Sequence, residues 1–169
     1  MSTYNADPVH SSLGFSVAYQ GVSVFRGTLT DVDARLVDGR LEGTAPVDSI
    51  SITTPEMFRA HVLSAEFFDA EAHPEVSFVS TALDVQEDGS ARASGDLTIR
   101  GVTHPVHATG TWTAPATDAF GKTRANLALE AVIDRTEWGI NWNAPLPSGG
   151  DALGNEVALA ISLSLVEES

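Results

Sequence analysis

The segment DVDARLVDGRLEGTAPV, residues 31–47, decides the fold class. Apolar and polar residues alternate on both sides of Asp38-Gly39, a dipeptide that favours the two-residue turn of a β-hairpin. Alternate side chains of a strand project to the same face, so each strand of this hairpin carries one apolar face. The residues predicted on that face are Val32, Ala34, Leu36, Leu41, Gly43, Ala45 and Val47.

The same period of two continues outward from this hairpin. A second hairpin is predicted at Asp88-Gly89, and a third turn at residues 100–104. The other alternating segments are SLGFSVAYQ at 12–20, PVHATGTWT at 105–113, RANLALEAVID at 124–134 and EVALAISLSLV at 156–166. Together the segments predict roughly eight antiparallel strands.

The apolar phase shifts at two places, between Leu29 and Val32 and between Val47 and Ile50. A strand that continues through such a shift needs an extra residue or a sharp bend. We therefore expect a β-bulge or a bent strand at each place.

One segment departs from the strand pattern altogether. TTPEMFRAHVLSAEFFD, residues 53–69, predicts a short helix near residues 54–66, with Thr53 or Thr54 as its N-cap. The apolar side chains predicted on its buried stripe are Phe58, Val62 and Phe67.

Small residues are frequent on the predicted inward faces of the strands: Gly43, Ala45, Ala91, Ala93, Ala108, Gly110 and Ala131. Antiparallel strands with short turns form either a sandwich or a closed barrel. Small inward residues favour a barrel with an open lumen, although they also ease the bending of strands at barrel corners. We interpret residues 1–169 as a single all-β domain, an antiparallel β-barrel of about eight strands with one short helix.

The charge of the chain excludes two classes of partner. Its 23 acidic and 9 basic residues give a net charge of −14, which repels nucleic acid and anionic lipid headgroups. The chain contains no cysteine, so disulfides and thiolate sites are excluded. Residues 1–12 lack the basic and apolar regions of a secretion signal, so we expect a cytoplasmic protein without stable membrane insertion. A periplasmic or secreted location would require a leader that had been removed.

Several segments together resemble the YceI-like family, small bacterial β-barrels of lipocalin-like shape. The segments that carry the resemblance are DPVHSSLGFSV at 7–17, RGTLTDVDARL at 26–36, FRAHVLSAEFFDAEAHPEVSFVST at 58–81, GDLTIRGVTHPV at 95–106 and IDRTEWGINW at 133–142. Tyr19 stands where many members carry His, and Leu29 stands where Phe is usual. The resemblance implies a barrel with a helix at one end that carries a long amphipathic lipid, such as an isoprenoid quinone or a polyisoprenoid. Because the net charge is negative, we expect a neutral head group, which makes a fatty amide a further candidate.

This resemblance gives the aromatic segment 138–142 an expected role. If Trp138, Ile140 and Trp142 end a barrel strand and face inward, they close one end of the lumen, and ordinary filling of the core remains the alternative. The other lumen residues we predict are Phe15, Val17, Tyr19, Phe58, Leu129 and Ile161. Candidates for contact with the ligand head are Arg59, His61 and Asn141.

Catalytic patterns are weak in this chain. No HExxH, GxSxG or phosphate-binding glycine motif occurs, and we expect neither a metal nor a cofactor nor catalysis. The alternatives are a small metal-dependent or hydrolytic enzyme that uses His61, His73 or His104, and a solid-core stress protein without a ligand. The expected partner is an apolar small molecule with an isoprenoid or fatty chain, and a homodimer remains open.

Overall fold

Ten strands, one α-helix and two short 3-10 turns make up the described part of the chain. The structure, a computed structural model, describes residues 3–168. The strands are β1 Thr3–Ala6, β2 Ser12–Tyr19, β3 Ser23–Leu29, β4 Asp33–Val37, β5 Arg40–Pro46, β6 Glu75–Val85, β7 Ser90–Ile99, β8 Val102–Thr117, β9 Thr123–Asp134 and β10 Leu153–Glu167. The helix α1 is Glu56–Leu63, and the 3-10 turns are Val47–Ser49 and Arg135–Trp138.

The strands close into a barrel because β10 pairs on both of its edges. One edge pairs with β9 along nearly its whole length, and the other edge pairs first with β2 and then with β1. Since β1 also pairs with β4, the strands β1, β4, β5, β6, β7, β8, β9 and β10 form a closed antiparallel ring. The predicted antiparallel barrel is confirmed, and β2 and β3 extend it beside β10.

The predicted hairpins are present. Val37 pairs with Arg40 across Asp38-Gly39, and Val85 pairs with Ala91 around Asp88-Gly89. Ile99 pairs with Val102 across the two-residue turn Arg100-Gly101. In the β7–β8 turn, Arg100 and Gly101 have positive φ angles of 57° and 75°, as a type I′ turn requires.

The two phase shifts have a different cause from the one expected. At the first, β3 ends at Leu29 and the chain turns into β4 through Asp31, whose φ of 55° is left-handed. At the second, β5 ends and the chain forms the 3-10 turn Val47–Ser49. Neither is a bulge inside a continuous strand, so that prediction is wrong.

The helix is shorter than predicted and begins differently. Its N-cap is Pro55 in an extended conformation, and no side chain caps the helix, so the prediction of a threonine cap is wrong. Val62 is buried as expected, at 5% exposure. No helix among residues 3–168 is long and apolar enough to cross a bilayer.

One end of the barrel is solid. Leu127 and Leu165 are fully buried there, and Tyr4 packs edge to face against Trp112 with ring centroids 5.9 Å apart. Close packing of this kind leaves little free volume, so any lumen must lie toward the other end.

Ion pairs hold the outside of this solid end together. Arg124 joins two carboxylates, with Nη1 3.1 Å from Asp7 Oδ2 and Nε 2.6 Å from Asp118 Oδ2. A hydrogen bond with His10 and the bond from Arg124 lower the pKa of Asp7 to about 2. These contacts tie the β1–β2 connection to the β8–β9 turn.

The strand phase predicts opposite outcomes for two neighbouring substitutions. Leu129 faces the interior at 2% exposure, so Leu129→Arg buries an unpaired charge and should lower the free energy of unfolding by about 3 to 5 kcal/mol. Ala128 is partly exposed on the other face of β9, so Ala128→Arg should cost less than about 1 kcal/mol. Thermal melting measures both, and equal melting temperatures would contradict the assigned phase.

Candidate functional site

A cavity of about 250 Å³ lies inside the barrel at the end covered by α1. Its wall is almost entirely apolar. Predicted lumen residues that line it are Phe15, Val17, Tyr19, Phe58, Trp138, Ile140 and Trp142. Apart from the indole N–H groups of Trp138 and Trp142, the polar or charged side chains among the lining residues within 3–168 are those of Tyr19, His61 and Arg135. We call this space the upper chamber.

Aromatic rings form the wall of the upper chamber between α1 and the β2–β3 hairpin. Phe25 is central, with ring centroids 5.8 Å from Phe15, 6.3 Å from Tyr19 and 5.3 Å from Phe58. An open groove on the surface shares Tyr19, Phe25 and Phe58 with the chamber. These three rings therefore stand between the interior and the solvent.

A second aromatic group surrounds His61. Its ring centroid lies 5.0 Å from both Phe67 and Trp142, in edge-to-face geometry. Nε2 of His61 lies 3.6 Å from Oε1 of Glu66, toward the outside. His61 thus borders the chamber with one side and meets a carboxylate with the other.

The segment 138–142 faces the chamber, but its backbone is not the strand we predicted. Arg135–Trp138 is a 3-10 turn, whose N-cap Asp134 accepts a hydrogen bond from the backbone N–H of Thr136, and Gly139 follows with φ 79°. The positive φ suits glycine and redirects the chain after Trp138. The prediction of shared orientation is correct for these side chains, while the predicted strand is wrong.

Trp138 is the most buried of these side chains. It is fully excluded from solvent, and its Nε1 donates a hydrogen bond of 3.0 Å to the carbonyl of Leu97. A buried indole N–H needs such an acceptor. The ring is thereby fixed against β7 as a rigid part of the wall.

Two arginines hold the segment 138–142 by donating hydrogen bonds to its carbonyl groups and to carbonyl groups of neighbouring segments. Arg135, only 4% exposed, donates to the carbonyls of Ile140 at 2.7 Å and Gly154 at 2.8 Å. Arg100 donates to the carbonyls of Gly139 at 2.8 Å and Ala65 at 2.6 Å. Burial lowers the pKa of Arg135, against the opposing effect of the carboxylates of Asp134 and Asp151.

Two of the three predicted contacts for a ligand head do not line the chamber. Arg59 donates to three backbone carbonyls, those of Asp48 at 2.7 Å, Ile52 at 2.9 Å and Ile50 at 3.2 Å, and so fastens α1 to the segment that connects it with β5. Asn141 is exposed to solvent. Only His61 of that set borders the chamber. The guanidinium of Arg59 is held away from the lumen because it donates to the carbonyls of residues 48–52.

Leu129 and Ile161 lie deeper than predicted. Both line a second cavity of about 80 Å³, which lies between the upper chamber and the solid end. We call this space the lower chamber. Predicted small residues line it as well, namely Gly43, Ala45, Ala108 and Ala131.

Sequence reasoning missed Phe25 and Phe68 in the upper chamber. In β3, Phe25 shares its phase with the buried Leu29, so the signal was present, but Val22 and Val24 on the other face obscured it. Phe68 follows α1 in irregular structure, and its ring lies 6.1 Å from Phe15. No periodic signal marks such a position.

The histidines of the enzyme alternative lie in separate surroundings. His104 packs edge to face against Trp138 at 5.3 Å, whereas His61 packs against Trp142 at 5.0 Å. The ring of His73 lies beside Gly101, under the β7–β8 turn. Within residues 3–168, no three His, Asp or Glu side chains are grouped as metal ligands.

The model of the YceI-like domain matches residues 4–165. The chain belongs to the YceI-like family. A curated relative, the UPF0312 protein of Staphylococcus epidermidis, is 32% identical over 173 residues, which covers 96% of each chain. A UPF0312 protein of Pseudomonas putida is 28% identical over 137 residues, 78% of this chain and 71% of the relative.

Solved structures share the YceI-like fold. The BcnA protein of Burkholderia cenocepacia superposes with a TM-score of 0.74 at 18% identity, over 94% of this chain and 98% of its own. A polyisoprenoid-binding domain of Saccharophagus degradans gives 0.70 at 12% identity, over 98% of both chains. The predicted lipocalin-like barrel and the predicted family membership are therefore confirmed.

Proposed function

We propose that this YceI-like protein binds an amphipathic lipid, with its isoprenoid or fatty tail inside the upper chamber and without catalysing a reaction. The observation that carries the proposal is a chamber of about 250 Å³ with a nearly continuous apolar wall. Proteins seldom leave such a space empty without a use for it, because close packing would stabilise them further. The S. degradans domain, which shares this fold, is a polyisoprenoid-binding domain, in agreement with this proposal.

Burial of the tail would supply the affinity. Transfer of apolar surface out of water contributes about 25 cal/mol per Å², less the entropy lost when the tail and the protein are ordered. The rings of Phe15, Phe25 and Phe58 offer this surface next to the open groove. A tail would enter between α1 and the β2–β3 hairpin.

A neutral head group fits this site better than a phosphate. Three arginines near this end, Arg59, Arg100 and Arg135, donate to backbone carbonyls, and the exposed Arg26 lines the open groove outside the chamber. The net charge of −14 adds long-range repulsion of anions. Tyr19 and His61 remain as hydrogen-bonding partners for the head of a quinone, alcohol or amide.

Tryptophan fluorescence tests whether the upper chamber is occupied. A quinone with a ten-carbon tail should quench the emission saturably at about one equivalent, because a quinone quenches an indole at contact. Trp142 and Trp138 line the chamber, whereas Trp112 lies at the solid end against Tyr4. Trp112→Phe should therefore retain the saturable component, and Trp142→Phe should lose a large part of it.

The same titration can also contradict lipid binding in the upper chamber. Quenching that rises linearly with quinone concentration, and to the same extent in both variants, would come from random collisions. That result would contradict lipid binding in the upper chamber.

Salt dependence tests the nature of the head group. A quinone and a polyprenyl phosphate of equal tail length are compared at low ionic strength and at about 0.5 M salt, where the Debye length is roughly 4 Å. At low salt we expect the quinone to bind more tightly than the phosphate. Between the two salt concentrations, the affinity of the quinone should change less than twofold. Tighter binding of the phosphate at low salt, lost at high salt, would overturn the neutral head.

A further inference from the structure

The two chambers meet at one narrow level of the barrel. Four side chains line both of them, namely Leu13 from β2, Val76 from β6, Leu97 from β7 and Leu159 from β10. The strands β6 and β7 are neighbours, as are β2 and β10, and each pair belongs to a different side of the barrel. The four side chains therefore face one another across the lumen. We call them the aliphatic ring.

Three members of the aliphatic ring are buried, and Leu13 is partly exposed. Val76, Leu97 and Leu159 are 5%, 6% and 9% exposed, even though each borders a cavity. Below the ring, the lower chamber exists because small residues such as Ala108 and Ala131 line it, and it ends where Leu127 and Leu165 fill the barrel. The lumen is thus wide, then narrow, then slightly wider, then closed.

We infer that the aliphatic ring limits the length of the apolar tail that this protein can bury. The inference rests on the proposed function and adds the residues that set its specificity. At roughly 30 Å³ for a group the size of a water molecule, the upper chamber of about 250 Å³ holds about eight such groups, and the lower chamber about three more. The preferred tail is therefore medium in length, with any excess left outside in solvent.

A series of alkan-1-ols from six to fourteen carbons tests this limit. Their affinities are measured by displacement of the quinone probe, with tryptophan emission as the readout. In the unmodified protein, affinity should rise about fourfold per added methylene and then level off near eight to ten carbons. Beyond that length, added methylenes stay in water and contribute nothing.

Widening the ring should move this limit. In the double variant Val76→Ala and Leu159→Ala, the affinity should continue to rise for about three further carbons. Val132→Ala is the matched control, because Val132 is 67% exposed on the outside of β9 and its loss should leave the limit unchanged. If the double variant does not fold, Val76→Ala alone should give a smaller shift in the same direction.

Filling the lower chamber provides the reverse experiment. Ala108→Leu, added to the widened protein, should return the limit to that of the unmodified protein. The inference is overturned if affinity in the unmodified protein rises steadily to fourteen carbons, or if widening leaves the limit in place. Failure of the proposed function looks different, since neither the quinone nor any alkanol would then bind the unmodified protein.

Discussion

Closure of the sheet through β10 is the constraint on which the rest of the structure depends. Because β10 pairs with β9 on one edge and with β2 and β1 on the other, every second residue of the ring is forced inside. The inward side chains cannot reach solvent sideways, so their volumes alone decide how much space remains. Large residues at Leu127 and Leu165 leave none, and small residues such as Ala108 leave the lower chamber.

The upper chamber depends on a different interaction, because regular strands do not complete its wall. The connection from β9 to β10 lacks the ladder of hydrogen bonds that satisfies a strand, and its carbonyl groups need other donors. Arg135 and Arg100 supply them at Ile140 and Gly139, consecutive residues between Trp138 and Trp142. A buried guanidinium group is costly unless it is well bonded, so Arg135 is best explained as part of the wall, whereas the partly exposed Arg100 supports the segment from outside the chamber. Because the guanidinium groups of Arg100 and Arg135 already donate to carbonyls, we assign the ligand head to Tyr19 and His61.

The sequence predicted the regular part of this molecule well. Alternation in segments such as RANLALEAVID fixed which residues face inward, because a one-residue error would expose the whole apolar set. Leu129 and Ala131 accordingly lie inside, and the barrel follows from the number of such strands and their turns.

The irregular part was harder to predict, because it depends on contacts between distant segments. The segment from Trp138 to Trp142 alternates like a strand, yet a 3-10 turn and arginine bonds from outside the segment shape it. Arg59 was expected at the ligand and instead donates to carbonyls of residues 48–52, an irregular segment whose sequence has no periodic pattern that would place them beside α1. The division of the lumen into two chambers likewise required the relative positions of β2, β6, β7 and β10.

The central claim is that the upper chamber holds the apolar tail of a lipid when the protein functions in the cell. Native mass spectrometry tests this claim most directly. The protein as purified is weighed under native and denaturing conditions, and again after incubation with a lipid extract. The account predicts one small organic molecule per chain that is retained natively, released on denaturation and soluble in organic solvent. A protein that is bare as purified and remains bare after incubation with the extract would contradict the account.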